Sequence, residues 1–295
     1  MKRLCLLLTL LPLLASAQTL DEFNALAKKK DTLAQQALLA KWEKKGANDP
    51  DYYIAAFNYH ISHGRKEIIA MKAGTPEGDA LVLKDSLGNI AGYMDSSIGY
   101  DQRDVEKAVA YIDKGIAKFP DRLDLRFGKT HLLGEYKDWD GFTNTILATI
   151  DRSDKNKNKW LWAGGKPLDD PKEYMLAAMQ SYVLQLYNTN DDSLLPNMAQ
   201  IAARILTYYP DHIESLSNLS IVYMLQNQPD KALVPLLKAE KIDPSDMIVQ
   251  GNIAHCYKMK GDTANALKYY ENIVKNGDSD SKAFAAEQIS KLKEK

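Results

Sequence analysis

Apolar residues recur at helical spacing along much of the chain, and the stretch from 213 to 226 shows the pattern well. Seven apolar residues recur there at helical rather than alternating spacing and predict an amphipathic helix: Ile213, Leu216, Leu219, Ile221, Val222, Tyr223 and Leu225. Asp211 is expected to cap the free amides at the start, and Glu214 to complete a capping box. Asn227 closes the segment, because asparagine tolerates the left-handed conformation that ends many helices.

The same pattern of residue types is written a second time, 34 positions later. The matched pairs are Asn218 and Asn252, Leu219 and Ile253, Tyr223 and Tyr257, Asn227 and Gly261, and Ala232 and Ala266. Each copy continues into a second predicted helix, over 229–240 and 263–275, in which the alanine permits close helix packing. A period of this length predicts helical hairpins that stack on their neighbours.

These residues resemble the tetratricopeptide repeat family (TPR), whose pattern has a small residue, an aromatic residue, a turn glycine, an alanine and a closing proline. The copies depart from that pattern at Asn227 and at Asp278, which stand in place of the turn glycine and the proline, and both lack the early tryptophan. The resemblance implies an all-α fold, a right-handed superhelical solenoid of helix pairs. It also implies that the first helix of each pair lines a concave groove.

Proline steps extend this organisation to the rest of the chain. Pro50, Pro120, Pro210 and Pro244 each mark a joint between units, and the distances between them fit about six TPR-like helix pairs. Residues 279–295 then form a polar C-terminal capping helix, as such arrays require. We therefore predict one solenoid domain over residues 18–295.

Two stretches exceed the repeat length. The first, about 64–100, contains short β-type runs near 67–71, 80–83 and 90–94, with a turn at 85–89. It predicts a small β-hairpin, or alternatively a sheet of three strands, that lies against the helices, since an isolated hairpin is only marginally stable. The second, about 151–170, reads as a polar loop that contains Trp160 and Trp162.

The N-terminus predicts export. Lys2 and Arg3 precede an apolar run, and small residues at 15–17 suit signal-peptide cleavage, so residues 1–17 are interpreted as a signal peptide. The periplasm of a bacterium is the expected location, and secretion is the alternative. Cleavage removes two basic residues and takes the formal charge from −1 to −3. That acidity argues against a nucleic-acid partner, and we expect no membrane insertion of the mature chain.

The residues suggest no reaction. His60 and His63 lie three positions apart on one predicted helix, but no third ligand or zinc-protease pattern accompanies them. Cys256 is expected to be a buried, inert thiol. We predict no catalytic residue, no metal and no cofactor, and therefore a protein that is not an enzyme.

Binding is the remaining class of function, and two hypotheses stay open. The first is an exported scaffold or adaptor that binds a protein or peptide in the groove. Its candidate residues, with Met224 and Ile248 beside them, are Glu214, Ser217, Asn218, Ile221, Gly251, Asn252, His255 and Lys258. The second is a glycan- or small-ligand-binding envelope protein that uses the hairpin insertion and the loop with Trp160 and Trp162.

Overall fold

A computed structural model of the chain describes residues 11–46, 48–72 and 81–294. Helices dominate this part of the chain. Their bounds are α1 Leu11–Lys28, α2 Thr32–Gly46, α3 Pro50–Gly64, α4 Gln102–Lys118, α5 Leu123–Glu135, α6 Trp139–Lys155, α7 Pro171–Tyr187, α8 Leu195–Tyr208, α9 Ile213–Leu225, α10 Pro229–Ile242, α11 Met247–Met259, α12 Thr263–Asn276 and α13 Ser279–Lys293. The predicted fold class is confirmed as six successive TPR-like helix pairs, a closing helix and a small inserted sheet.

The predicted export signal lies mostly outside the described residues. Positions 11–17 form the beginning of α1, and residues 1–10 are not described. No helix in the described ranges is both long enough and apolar enough to cross a membrane.

Both predicted helix stops are confirmed. Asn227 and Gly261 adopt left-handed backbone angles, with φ of 56° and 73°. The predicted cap of α9 is wrong, because the ring of His212 accepts the hydrogen bond from the Ser215 amide and Asp211 instead pairs with Lys238. The adjacent imidazole reaches the free amide, so the helix is capped one position later than expected.

The chain divides into two compact units, which are described separately. Unit 1 comprises residues 1–145 and 159–168, and unit 2 comprises residues 146–158 and 169–295. The core of unit 1 is formed mainly by α2, α3 and α4, with Trp42, Tyr53, Phe57 and Ile112 buried. In unit 2, Leu216, Leu236, Val249 and Ile253 join α9, α10 and α11, and Tyr270 and Ile273 continue the core towards α13.

The insertion between α3 and α4 is a three-stranded antiparallel sheet. Its strands, β1 Arg65–Lys72, β2 Leu81–Lys84 and β3 Ile90–Tyr100, are arranged in the order β1-β3-β2. Residues 73–80, which include the predicted start of the second strand, lie outside the described residues. Many of the sheet's apolar side chains, such as Ile69 and Met71, remain exposed, whereas Tyr100 at the end of β3 packs against the helical core.

The second insertion is shorter than the sequence predicts. Helix α6 continues to Lys155, so the first residues of the predicted loop are helical. The remainder contains two short paired strands, β4 Leu161–Trp162 and β5 Lys166–Pro167. Gly164 and Gly165, both with φ of 69°, make the reversal between them.

Candidate partner-binding surface

The candidate surface is built on α9 and α11, which are equivalent helices in the two repeat copies. Asp246 fixes the start of α11 by accepting hydrogen bonds from the Ile248 and Val249 amides at 2.9 and 3.0 Å. One side of each helix carries core residues such as Leu216 and Ile253. Another side carries the eight candidate groove residues of the sequence analysis, and we call it the first-helix face.

On α9 the first-helix face is accessible to solvent. Glu214 is exposed, with its carboxylate 3.2 Å from Nε2 of His212, and Ser217, Asn218 and Ile221 are half-buried. The side-chain amide of Asn218 donates to Oε1 of Gln180 on α7. Asn218 is therefore oriented at the junction between two neighbouring first helices.

On α11 the equivalent positions are also accessible. His255 is exposed, and Gly251, Asn252 and Lys258 are half-buried. Nζ of Lys258 donates to Oε1 of Gln288 on α13 at 2.8 Å. The pKa of His255 lies below its ordinary value, first because its surroundings are partly desolvated and second because Lys258 repels a positive charge. His255 is therefore neutral at pH 7 and can donate or accept a hydrogen bond.

The surface extends beyond the residues that the sequence indicated. Helix α7 packs against α9, and α9 packs against α11. Leu184 and Leu225 add large apolar side chains to α7 and α9, with exposed fractions of 55% and 48%, and Ile248, which the sequence had indicated, is 74% exposed. The sequence pattern did not indicate Gln180 and Gln288, because they lie 38 and 30 positions from their partners Asn218 and Lys258.

Cys256 lies among these residues but is not accessible. It is a buried free thiol, and burial raises its pKa to about 11. Because the thiolate is the reactive form of cysteine, this residue is an inert part of the core of unit 2.

A shallow cavity of about 370 Å³ lies elsewhere in unit 2, between α10, α11 and α12. Its wall carries Tyr269, whose hydroxyl donates to Glu240 at 3.2 Å, and an amide pair formed by Gln250 and Asn272. These residues come mainly from second helices, so the cavity is separate from the first-helix face.

The tryptophans of the second insertion belong to unit 1 and have different environments. Trp160 is only 1% exposed, and the Arg126 guanidinium lies 5.9 Å from its ring centroid. Trp162 is half-buried and meets Phe127 edge-to-face at 6.1 Å. The ring of Trp160 therefore anchors the loop to α5 and is not available as a stacking platform, which removes half of the predicted loop site.

The two histidines of α3 share one carboxylate. Nδ1 of His60 lies 3.2 Å from Oδ1 of Asp104, and Nδ1 of His63 lies 3.0 Å from Oδ2. The carboxylate can only accept, so each Nδ1 carries the proton. Both rings also stack on tyrosines, His60 on Tyr111 and His63 on Tyr59. The cluster joins α3 to α4 at the base of the inserted sheet.

No group of three or more histidine, cysteine, aspartate or glutamate residues suited to hold a metal occurs in the described part of the chain. The arrangement around Asp104 links α3 to α4 through the two contacts with the histidines. The sequence indicated His60 and His63 as a pair but did not indicate Asp104, because Asp104 lies 44 and 41 positions from them.

No family model matches the chain, and no curated protein matches it. Several solved structures are similar to this chain. They include YrrB, a TPR protein with an unusual peptide-binding site, at 14% identity over 63% of this chain and 84% of that chain, with a TM-score of 0.39. The assembly chaperone of RpL4 (Acl4) is 10% identical over 95% and 98% of the two chains, with a TM-score of 0.40.

The TPR2AB domain of yeast Sti1, solved in complex with pHSP90, is 12% identical over 94% and 96% of the two chains, with a TM-score of 0.32. The candidate surface rests on the contacts and exposure of this chain's own residues.

Proposed function

We propose that this chain is a non-enzymatic scaffold that binds a segment of another protein on the first-helix face of unit 2. One observation supports the proposal. Residues at equivalent positions of the two repeat copies remain accessible on α9 and α11, while other sides of the same helices are buried in the core.

The chemistry of this face suits a peptide. Asn218 and Asn252 offer amide donors and acceptors to a peptide backbone, and Ile221 and Ile248 offer apolar contact to its side chains. Protein interfaces combine such an apolar centre with hydrogen-bonding groups around it. The overall formal charge of −1 gives no support to a nucleic-acid partner.

The test compares two matched double variants in affinity capture from the producing cell, using residues 18–295. Ser217→Glu with His255→Glu places two carboxylates on the first-helix face. Val234→Glu with Ala264→Glu places two carboxylates on exposed positions of α10 and α12. We expect a specific partner whose retention falls at least tenfold with the first variant and is unchanged with the second. Equal retention by both variants would exclude the first-helix face.

We further propose that residues 1–17 direct export, to a bacterial periplasm or, as the alternative, to the medium. The apolar run after Lys2 and Arg3, followed by small residues, supports this. Intact-mass measurement of the chain from the envelope fraction checks it, with Gln18 expected as the first residue. A full-length mass in the cytosolic fraction would contradict export.

A further inference from the structure

The first-helix face carries very few charges. Helices α9 and α11 have 13 residues each, and with His255 neutral each helix contains one charged residue, Glu214 and Lys258. The neighbouring first helix, α7, contains Lys172 and Glu173, which pair with each other at 2.8 Å and leave no net charge on that helix. One carboxylate and one ammonium group therefore dominate the electrostatics of this surface.

The carboxylate of Glu214 keeps its charge and is accessible. Its side chain is 64% exposed, and Nε2 of His212 lies 3.2 Å away. Burial lowers the pKa of His212, so this ring is neutral at pH 7 and does not cancel the charge of the carboxylate. Glu214 can therefore receive a cation from a partner.

The surroundings of Lys258 are positive. Its ammonium group donates to the neutral side chain of Gln288 at 2.8 Å. The nearby carboxylate of Glu287 pairs with Lys291, and that hydrogen bond, together with a smaller effect of the charge of Lys258, lowers the pKa of Glu287. Two ammonium groups therefore lie near one carboxylate, and this end of the face attracts an anion.

Charged residues next to the ends of the two helices have other roles. Asp211 pairs with Lys238 at 3.1 Å, and Lys260 pairs with Asp230 at 2.5 Å. Asp246 accepts the hydrogen bonds of the first amides of α11. Glu214 and Lys258 are therefore the charges with which a partner on this face can pair.

The repeat gives the separation of the two charges. Glu214 and Ile248 are equivalent positions of the two copies, and Lys258 lies ten residues after Ile248. Ten helical residues span about 15 Å, and neighbouring helices lie about 9 Å apart, so the two backbone positions are roughly 17 Å apart. An extended chain covers that distance in about five residues. Asn218 and Asn252 lie between the two positions along the helices.

We propose that the first-helix face selects a partner segment in which a basic and an acidic side chain are about five residues apart. The basic side chain pairs with Glu214, the acidic one pairs with Lys258, and the residues between them lie over Asn218 and Asn252. This inference rests on the proposed function and specifies the partner of the same surface. Complementary charges of this kind contribute mainly to specificity.

Three labelled peptides, blocked at both ends and otherwise identical in sequence, test the proposal. At two positions five residues apart they carry arginine and glutamate, arginine and glutamine, or glutamine and glutamate, and each is made in both sequence orders. Fluorescence anisotropy with residues 18–295 at pH 7 measures their affinities. In one order or in both, the peptide with both charges should bind about threefold more tightly than either singly charged peptide, since exposed ion pairs contribute little each.

Single substitutions assign each preference to one residue. Glu214→Gln should remove the advantage that arginine gives and keep the advantage that glutamate gives, and Lys258→Gln should do the reverse. Glu271→Gln with Lys275→Gln, at exposed positions of α12, is the matched control and should leave all the affinities unchanged. Circular dichroism checks that each variant is folded.

The unsubstituted chain provides a second measurement. In 1 M NaCl the difference between the peptides should nearly vanish, because salt screens exposed charges. Equal affinities at low salt, or preferences that persist in both single variants, would overturn the inference. Absence of peptide binding would overturn it alone if affinity capture still yields a partner that depends on the first-helix face. Failure of both experiments would overturn the proposed function as well.

Discussion

The Nη2 atom of Arg122 lies 2.6 Å from Oδ1 of Asp51, a residue 71 positions earlier in the chain. The same guanidinium binds both carboxylate oxygens of Asp124, at 2.8 and 2.7 Å. Each of the three side chains is at most 8% exposed. Asp51 also accepts from the Gly164 amide at 3.3 Å, so the cluster joins the start of α3, the start of α5 and the second insertion.

Replacing Arg122 by methionine should destabilise unit 1 by about 3–5 kcal/mol, because it leaves two carboxylates buried without their cation. Urea unfolding followed by circular dichroism, which reports on the helices of both units, measures the change. Arg204→Met is the matched control, since the Arg204–Asp151 pair is 38% and 32% exposed and should contribute at most about 1 kcal/mol. Equal losses of stability in the two variants would contradict the conclusion that the buried cluster of Arg122 contributes more stability than the exposed Arg204–Asp151 pair.

The histidine cluster on Asp104 should make stability depend on pH. Burial lowers the pKa of His60 and outweighs the hydrogen bond to Asp104. The folded chain therefore binds this proton less readily than the unfolded chain. The stability from neutral His60 is complete above the unfolded pKa of about 6.5 and is lost as pH falls through the lower, folded pKa.

Asp104 acts in the same direction at lower pH. Burial opposes its ionisation, but the hydrogen bonds from His63 and His60 outweigh burial and lower its pKa. Its contribution is present above the unfolded pKa of about 3.9 and is lost as pH falls through the folded pKa. The free energy of unfolding should therefore decrease as the pH is lowered from 7 to 3.

His60→Gln should reduce the loss of stability between pH 7 and 5, because glutamine does not titrate. The free energy of unfolding of the variant should still depend on pH to some extent, since burial also lowers the pKa of His212 and of His255. Chemical denaturation at a series of pH values provides the comparison. A variant profile parallel to the wild type over this range would rule out His60 as a source of the dependence.

The two helix stops in unit 2 should respond oppositely to substitution. Gly261→Ala should destabilise by about 1–2 kcal/mol, because φ of 73° is unfavourable for a residue with a β-carbon. Asn227→Gly should be neutral or slightly stabilising, because glycine is the residue that most readily adopts the same conformation. Thermal unfolding of the two single variants measures both effects, and a stabilising Gly261→Ala would refute the argument.

Trp160 should contribute more stability than Trp162. Trp160→Ala removes a fully buried indole and should cost about 3–5 kcal/mol. Trp162→Ala removes a half-buried ring and should cost less than half as much. Urea unfolding followed by circular dichroism avoids loss of the fluorescent probe. Comparable losses of stability in the two variants would mean that both rings anchor the loop equally.

Local patterns predicted the helix pairs well. Apolar spacing, Ala232 with Ala266, and the stops at Asn227 and Gly261 are written in nearby residues, so helices and turns could be inferred from them. The cap of α9 was predicted wrongly because Asp211 and His212 are neighbours. The sequence shows that a capping side chain is present there but not which of the two faces the free amides.

Long-range contacts were beyond sequence analysis. The burial of Trp160 depends on α5, and the roles of His60 and His63 depend on Asp104 in another helix. For the candidate surface, the repeat positions indicated the residues on α9 and α11. Gln180 and Gln288 form hydrogen bonds with Asn218 and Lys258, and these contacts could be identified only from the positions of the neighbouring helices.

The second insertion also constrains how the chain can fold while it is being synthesised. Unit 1 ends not at residue 145 but with residues 159–168, and these bring the buried Trp160 to α5. Unit 1 therefore cannot be completed on the ribosome until Leu168 has emerged from the exit tunnel. By then residues 146–158 have also left it, so the nascent chain already exposes the beginning of unit 2 before unit 1 has closed.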